Sequence, residues 1–127
     1  MVVLLVDDDR ELREALAEFL SLRGYEVQCA ADGMEALRLL NDSRTRPALI
    51  LLDLVMPILD GWGFLAERGK DPLLADVPVL ILTGSHDVTQ KAKDGGAIAV
   101  MRKPVEPESL LRAIERVVER PHRDVKN

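Results

Sequence analysis

The apolar residues of the chain occur in two alternating patterns, short continuous runs and stretches with the spacing of one helical face. The runs predict five strands, at residues 2–6, 25–30, 48–52, 77–82 and 97–101. A fully apolar run is typical of a strand covered on both faces, whereas the second run alternates with polar residues and is typical of an edge strand. Together the runs predict a parallel sheet joined by crossover helices.

The stretches between the strands have apolar residues three and four positions apart, which predicts amphipathic helices. The stripe of the first helix consists of Leu12, Leu16, Phe19 and Leu22. The second helix starts at Asp32, which forms a capping-box pattern with Glu35. The third is expected at about residues 62–70, and the fourth, which is short, at about residues 88–93.

The fifth helix begins at Pro107, a favoured first position, and is expected to end near residue 120. Its apolar set is wider than one sheet-facing stripe requires and consists of Leu110, Leu111, Ala113, Ile114, Val117 and Val118. We expect one domain over residues 1–120 and a polar tail at residues 121–127. Five β–α units predict a doubly wound α/β fold with helices on both faces of the sheet.

Composition and charge narrow the class of protein further. The 127 residues are 47% hydrophobic and 31% charged, with a net charge of −5 and no basic block. These values predict one globular domain and argue against direct binding of nucleic acid or a membrane. A lone cysteine, Cys29, cannot form an internal disulfide, and no signal peptide precedes the first strand, so we expect a cytoplasmic location.

Side chains that can carry chemistry follow the predicted strands. Asp7 and Asp8 follow the first strand, Asp53 follows the third, Thr83 follows the fourth, and Lys103 comes two residues after the fifth. Sites in open α/β sheets form beyond the carboxyl ends of the strands. We therefore expect these side chains to share one cleft.

Three crowded carboxylates repel one another and are costly unless a cation joins them. Mg²⁺ prefers oxygen ligands and uses one or two carboxylates while keeping several waters. Lys103 adds a positive charge suited to an anion, Thr83 adds a hydroxyl donor, and Gly84 leaves room and a backbone N–H. These groups suit phosphoryl transfer to Asp53, with Mg²⁺ and Lys103 neutralising the charge of the transferred group.

In these positions the chain resembles the receiver domains of two-component response regulators. The resemblance rests on VDDD at 6–9, LDLVMP at 52–57, DG at 60–61, LTG at 82–84 and KP at 103–104. It covers nearly the whole chain, from residue 2 to about residue 120. It implies a flavodoxin-like five-stranded parallel sheet of order 2-1-3-4-5.

The resemblance also implies a role for each of the acidic residues. Asp53 is then the phosphoacceptor, Asp8 the direct Mg²⁺ ligand, and Asp7 a ligand that acts mainly through metal-bound water. The backbone carbonyl of Val55 is a further metal ligand. The implied donor is a phosphohistidine on a sensor histidine kinase or a phosphotransfer protein, and receivers of this family also hydrolyse their own phosphoaspartate with Mg²⁺.

On the other side of the site, the resemblance implies that Thr83 hydrogen-bonds the phosphoryl group, that Lys103 pairs with it, and that Pro104 is a cis-proline.

Two features depart from the family. Receivers usually carry a tyrosine or phenylalanine three residues before the lysine, where this chain has Val100. The stretch from Thr83 to Lys103 is also about two residues shorter than the family pattern. Valine has no ring to swing, so the usual threonine–aromatic coupling cannot operate here.

The predicted output surface is the fourth helix, fifth strand and fifth helix. The fourth helix has Val88 and Ala92 as its apolar anchors, the fifth strand lacks polar side chains, and Leu111 and Val118 lie one heptad apart on the last helix. Little burial permits a helix to shift, and a bare edge beside apolar helix surface suggests a partner. We expect this face to bind an effector or a second copy of the chain.

Two other functions remain open. A phosphatase or mutase with an aspartyl-phosphate intermediate places a second aspartate two residues after the nucleophile, but this chain has Val55 there and no cap domain. A degenerate receiver could act as a constitutive dimerisation module. The intact set of acidic residues, threonine and lysine argues against that reading, and Val100 favours it. We therefore expect a switch rather than an enzyme acting on an external substrate.

Overall fold

The computed structural model describes the backbone of residues 1–42 and 46–126, and the side chains of these residues as far as Val118. The strands are β1 (Val2–Val6), β2 (Glu26–Ala30), β3 (Leu49–Asp53), β4 (Val79–Thr83) and β5 (Ala99–Arg102). The helices are α1 (Arg10–Ser21), α2 (Gly33–Asp42), α3 (Gly61–Lys70), α4 (Thr89–Asp94) and α5 (Pro107–Lys126). Strands and helices alternate along the chain, as the sequence predicts.

The five strands form one parallel sheet of order β2-β1-β3-β4-β5, which confirms the predicted doubly wound fold. Every residue of β1, β3 and β4 is buried. In contrast, β2 and β5 are only partly covered, as expected for edge strands. The three central strands are all continuous apolar runs, but the fifth run is equally apolar although β5 lies at an edge, so an apolar run does not by itself identify a central strand.

Helices cover both faces of the sheet. Leu16 and Leu20 of α1 pack with Leu110 and Ile114 of α5 on one face. On the other face the core comprises side chains of α2, α3 and α4, with Phe64 of α3 as its largest fully buried member. Burying each Leu, Val or Phe side chain stabilises the fold by about 1.5–3 kcal/mol. The two cores cover both faces of the sheet and leave its carboxyl edge free for a site.

The stripe predicted for the first helix is wrong at its last position. Leu22 is 74% exposed, whereas Leu20 is fully buried. Leu20 lies four residues after Leu16 and therefore on the same helical face. Leu22 lies six residues after Leu16, which places it about 120° away around the helix axis at 3.6 residues per turn. Its side chain therefore falls outside the buried face although its backbone is still helical.

The last three strands begin and end later than predicted. Asp53, Thr83 and Arg102 are the final residues of β3, β4 and β5 rather than residues beyond them. Their backbones still pair, since Asp53 lies opposite Leu82 and Thr83 lies opposite Arg102. The hydrophobic pattern stops one residue early because a polar side chain at the sheet edge does not interrupt the backbone ladder. The backbones of Asp53, Thr83 and Arg102 are thus fixed by strand pairing.

The fifth helix is longer than predicted, because α5 continues to Lys126 and the expected polar tail is helical over residues 121–126. Pro121 removes one backbone donor, but helix formation continues through it. Asn127 lies outside the described residues. Within the described part of the chain, no helix has both the length and the apolar character needed to cross a bilayer.

The connection from α3 to β4 is held by the buried side chain of Arg68, which is 4% exposed. Its guanidinium donates hydrogen bonds to the carbonyl of Ala75 at 2.7 Å and to the carbonyl of Val77 at 2.7 and 3.2 Å. Burial lowers the pKa of Arg68, and the charge of Asp76 opposes this shift. Arg68 therefore supplies donors to two carbonyls of this connection, one of them on the buried Val77.

Candidate functional site

The strand order brings the predicted site residues to one edge of the sheet. Asp7 and Asp8 follow β1, while Asp53 and Thr83 end the neighbouring strands β3 and β4. Lys103 follows β5, and its backbone N–H donates to the carbonyl of Thr83 at 2.8 Å. All five therefore lie where the carboxyl ends of parallel strands meet.

The three aspartates form one cluster. Each of Asp7, Asp8 and Asp53 offers a carboxylate oxygen, and these oxygens lie within 4.8 Å of one another. Asp7 is fully buried and Asp53 is 5% exposed, whereas Asp8 faces solvent. Two carboxylates are thus held away from water beside a third that remains accessible.

Asp7 is engaged at every polar atom. Its Oδ1 accepts from the Asp9 backbone N–H at 2.9 Å, and its Oδ2 accepts from Lys103 Nζ at 2.9 Å. Its backbone N–H donates to the Ala30 carbonyl at 3.0 Å, and its carbonyl accepts from Arg13 Nη1 at 2.7 Å. These bonds fix Asp7, and with it the turn that presents the neighbouring Asp8.

Arg13 was not among the residues predicted for the site. It lies in the second turn of α1, after the N-cap Asp9, whose side chain accepts from the Leu12 backbone N–H at 3.2 Å. Its spacing from the acidic residues resembles that of any exposed helical arginine. Only the direction of α1 relative to β1 brings its guanidinium to the Asp7 carbonyl.

Lys103 connects two of the carboxylates. Its Nζ lies 3.6 Å from Asp53 Oδ1, which makes an ion pair longer than the hydrogen bond to Asp7. Burial opposes the charge on Lys103, but the hydrogen bond to Asp7 and the charges of Asp7 and Asp53 raise its pKa overall. The side chain therefore stays protonated at neutral pH. The peptide bond between Lys103 and Pro104 is cis.

The environment of Asp53 disfavours its charge. The pKa of Asp53 is raised to about 6, chiefly by burial, with smaller contributions from the charges of Asp7 and Asp8. Lys103 and the Val55 backbone N–H, 3.4 Å from Asp53 Oδ1, oppose the shift without cancelling it. A positive charge bound beside Asp53 would therefore stabilise its ionised form.

The side of the site formed by β4 and β5 carries the remaining predicted residues. Thr83 is fully buried, and its Oγ1 accepts from the Ser85 backbone N–H at 3.0 Å, which leaves the hydroxyl proton free to donate. Gly84 is exposed, with no atom within 4 Å of the position a Cβ would take. Val100 is half-buried in β5 and packs against the core that includes α2, α3 and α4.

Gly61 approaches Asp53 closely, a feature that the sequence indicated only as a turn. A Cβ at Gly61 would lie 2.3 Å from the backbone oxygen of Asp53 and 2.6 Å from Leu54 Cα. The helix starts there because Asp60 is its N-cap and accepts from the Gly63 backbone N–H at 2.8 Å. Glycine at position 61 thus lets α3 begin directly against the end of β3.

The donor set fits a hard divalent cation. The three carboxylates supply only oxygen ligands. Burial and, after it, repulsion from Asp7 and Asp8 raise the pKa of Asp53, and a bound cation would offset both effects by favouring the charged form. Residues of this kind could hold Mg²⁺ through Asp8 and Asp53, with Asp7 and the Val55 carbonyl nearby. The exposed Asp8 leaves the cluster open to solvent, from which the ion would enter.

Comparison with known proteins gives a consistent result. The model of the response regulator receiver domain family matches residues 3–115 of the chain. The probable transcriptional regulator ycf27 of Porphyridium aerugineum is 39% identical over 120 residues, covering 93% of this chain and 48% of that protein. The response regulator MprA of Mycobacterium leprae is 38% identical over 122 residues, covering 94% of this chain and 52% of that protein. The chain thus spans about half the length of these curated relatives.

Solved structures of similar fold match over nearly their full length. The chemotaxis protein CheY4 of Vibrio cholerae superimposes with a TM-score of 0.84 at 36% identity, covering 91% of this chain and 97% of that one. A CheY-like receiver domain protein of Methanospirillum hungatei gives a TM-score of 0.86 at 28% identity, with 97% of each chain covered. The sheet order and the match over whole chains agree with the flavodoxin-like fold expected from the sequence.

Proposed function

The chain belongs to the response regulator receiver domain family, and from that membership we propose that it is a signalling switch phosphorylated on Asp53. The donor is a phosphohistidine on a sensor histidine kinase or a phosphotransfer protein. The modified domain then changes which partner it binds. The chain acts on its own aspartate and not on an external substrate.

One observation carries the proposal, namely the position of Asp53 between a lysine and two carboxylates. Its Oδ1 lies 3.6 Å from Lys103 Nζ, and its carboxylate shares a cluster with Asp7 and Asp8. A nucleophilic carboxylate, a fixed ammonium and an acidic metal cluster are the parts that phosphoryl transfer to aspartate requires.

In the reaction, a carboxylate oxygen of Asp53 attacks phosphorus as the bond from phosphorus to the donor's imidazole nitrogen breaks. The imidazole leaves as the neutral base after taking up a proton, and Asp53 becomes an acyl phosphate. Mg²⁺, when bound, neutralises charge on the phosphoryl oxygens. Lys103 supplies a second positive charge, held in place by its hydrogen bond to Asp7. Thr83 offers its hydroxyl proton to a phosphoryl oxygen, and the open backbone at Gly84 offers an N–H.

The proposed output surface consists of α4, β5 and α5. Supporting features are the short α4, which buries Ala92, and the partly exposed Ile98 before β5. The apolar surface on α5 is smaller than the sequence suggested, because Val118 is 9% exposed and belongs to the core, while Leu111 is half-buried. We propose that this face binds a second copy of the chain or an effector after phosphorylation adds nearly two negative charges at Asp53.

Labelling with acetyl phosphate tests the proposal. The purified chain is incubated with acetyl phosphate and Mg²⁺, and intact-mass spectrometry counts the phosphoryl groups added. We expect one group on the wild type, none with EDTA and none on Asp53→Asn. Absence of labelling in the wild type would favour the constitutive dimerisation module, the alternative that Val100 supports. Sedimentation velocity with and without beryllofluoride then measures whether the modified state self-associates.

A further inference from the structure

The loop between β4 and α4, residues 84–88, is exposed over residues 84–87 and half-buried at Val88. Asp87 has a φ of 58°, a left-handed conformation that costs a non-glycine residue about 1 kcal/mol or more. The loop follows Thr83 directly, so a group that binds the Thr83 hydroxyl or the Gly84 backbone N–H pulls on the start of the loop. This loop is therefore the part of the site best placed to move.

A side-chain contact joins this loop to β5. Arg102 Nη2 lies 3.0 Å from His86 Nε2. A guanidinium can only donate, so in this contact the histidine nitrogen is the acceptor. The backbone of Arg102 is fixed, because it ends β5 opposite Thr83 and the next residue, Lys103, donates its backbone N–H to the Thr83 carbonyl at 2.8 Å. His86, which lies in the loop, thus contacts a residue whose backbone belongs to the sheet and not to the loop.

The helix that the loop leads into has few attachments of its own. α4 has six residues and buries the side chain of Ala92. Lys91 of α4 lies over the ring of Trp62 in α3, with its Nζ 4.3 Å from the ring centroid. A helix with so little burial takes its position from the loop before it and from such surface contacts. Restraining the loop at His86 consequently restrains α4.

We propose that His86 and Arg102 are positioning residues that hold the β4–α4 loop in the position it has in this structure, here called open, until a phosphoryl group on Asp53 draws the loop toward itself, here called closed. The proposal rests on the proposed function and supplies a route for the signal that does not use an aromatic residue in β5, where this chain has Val100. Closure brings Thr83 and Gly84 toward the phosphoryl oxygens and carries His86 away from Arg102. The contact then opens, and α4 moves with the loop.

The energetics give the direction of the effect. An exposed contact of this kind is worth little, and its loss changes an equilibrium by about threefold. Because the contact belongs to the open loop, its loss raises the population of the closed loop, and ligand affinity rises in proportion to that population. Damage to the structure has the opposite effect, since it weakens ligand binding and stability together.

The experiment measures beryllofluoride affinity in saturating Mg²⁺ by the fluorescence of Trp62, the single tryptophan of the chain. His86→Ala removes the acceptor without removing a positive charge, and Arg102→Lys removes the guanidinium geometry while keeping its charge. We expect each variant to bind beryllofluoride about threefold more tightly than the wild type. The double variant should bind no more tightly than either single variant, because both substitutions remove the same contact.

A matched control is Gln90→Ala. Gln90 donates to Asp94 Oδ1 at 2.8 Å, an exposed contact within α4 that does not reach β5, so its loss should leave the affinity unchanged. If His86→Ala binds beryllofluoride no more tightly than a wild type that binds it normally, the role proposed for His86 and Arg102 is wrong, and the proposed function is unaffected. Failure of the wild type to bind beryllofluoride in a manner that depends on Asp53 overturns the proposed function and this role together.

Discussion

Gly61 lies so close to Asp53 that a methyl group on it would be 2.3 Å from the Asp53 backbone oxygen. Contacts of this length are not tolerated, and the obstructing atoms belong to the main chain, which cannot rotate away as a side chain can. The start of α3 and the end of β3 are therefore fitted to one another through this one glycine. The position of the Asp53 carboxylate, the proposed phosphoacceptor, depends on that fit.

The first prediction concerns Gly61→Ala. The added methyl group must push α3 away from β3, so we expect a loss of stability of about 2–4 kcal/mol and slower phosphorylation by acetyl phosphate. Urea unfolding measures the first effect and the initial rate of mass labelling the second. A matched control is Gly69→Ala in the same helix, where a Cβ meets no atom within 4 Å. That variant should be more stable by about 0.5–1 kcal/mol and labelled at the wild-type rate. Equal behaviour of the two variants would contradict the account.

The second prediction concerns pH. The pKa of Asp53 is raised from 3.8 to about 6, so between these values the folded chain holds a proton that the unfolded chain has lost. Without metal, ionisation of Asp53 therefore makes stability fall as pH rises through this window, by on the order of 2 kcal/mol. Asp53→Asn lacks this titration. In EDTA, the difference between the unfolding free energy of Asp53→Asn and that of the wild type should therefore rise by about 2 kcal/mol between pH 4 and pH 7.5, as measured by urea unfolding.

Bound Mg²⁺ should restore the stability that the wild type loses when the Asp53 carboxylate ionises. An ion that binds the folded chain stabilises it by mass action, and the carboxylate of Asp53 is among its proposed ligands. At pH 7.5, we expect saturating Mg²⁺ to raise the unfolding free energy of the wild type more than that of Asp53→Asn. An equal rise in both proteins would mean that the ion binds elsewhere.

The third prediction concerns Arg68, which no part of the proposed chemistry uses. Its guanidinium donates to the carbonyls of Ala75 and Val77. Arg68→Met keeps most of the side-chain volume but leaves these carbonyls without that donor, which should cost about 2–4 kcal/mol. Because the site is remote from this connection, labelling of the folded variant by acetyl phosphate should proceed at the wild-type rate. A strong loss of labelling in a well-folded variant would contradict the separation of the two roles.

Much of the fold was predictable from the sequence, because the central strands of a parallel sheet are buried on both faces and appear as uninterrupted apolar runs. The boundaries were less predictable. Thr83 and Asp53 belong to strands although they are polar, since pairing depends on the backbone and not on the side chain. The extension of α5 through Pro121 was missed for a related reason, because one missing donor does not end a helix.

The candidate site was predictable where its residues directly follow strands, and less so where they act through tertiary geometry. Asp7, Asp8 and Asp53 converge as the strand order requires. Arg13 reaches the Asp7 carbonyl only because of the angle of α1. The contact between His86 and Arg102 likewise joins two residues whose spacing carries no recognisable pattern.

The decisive measurement identifies which residue carries the acyl phosphate. Borohydride reduces an acyl phosphate to an alcohol, which converts a phosphorylated aspartate into homoserine and marks the modified residue permanently. After labelling with acetyl phosphate and Mg²⁺, reduction and proteolysis, peptide sequencing by mass spectrometry should find homoserine at position 53 and aspartate at positions 7 and 8. Homoserine at either of those positions, or none at position 53 in protein that had gained a phosphoryl group, would contradict the assignment of Asp53 as the phosphoacceptor.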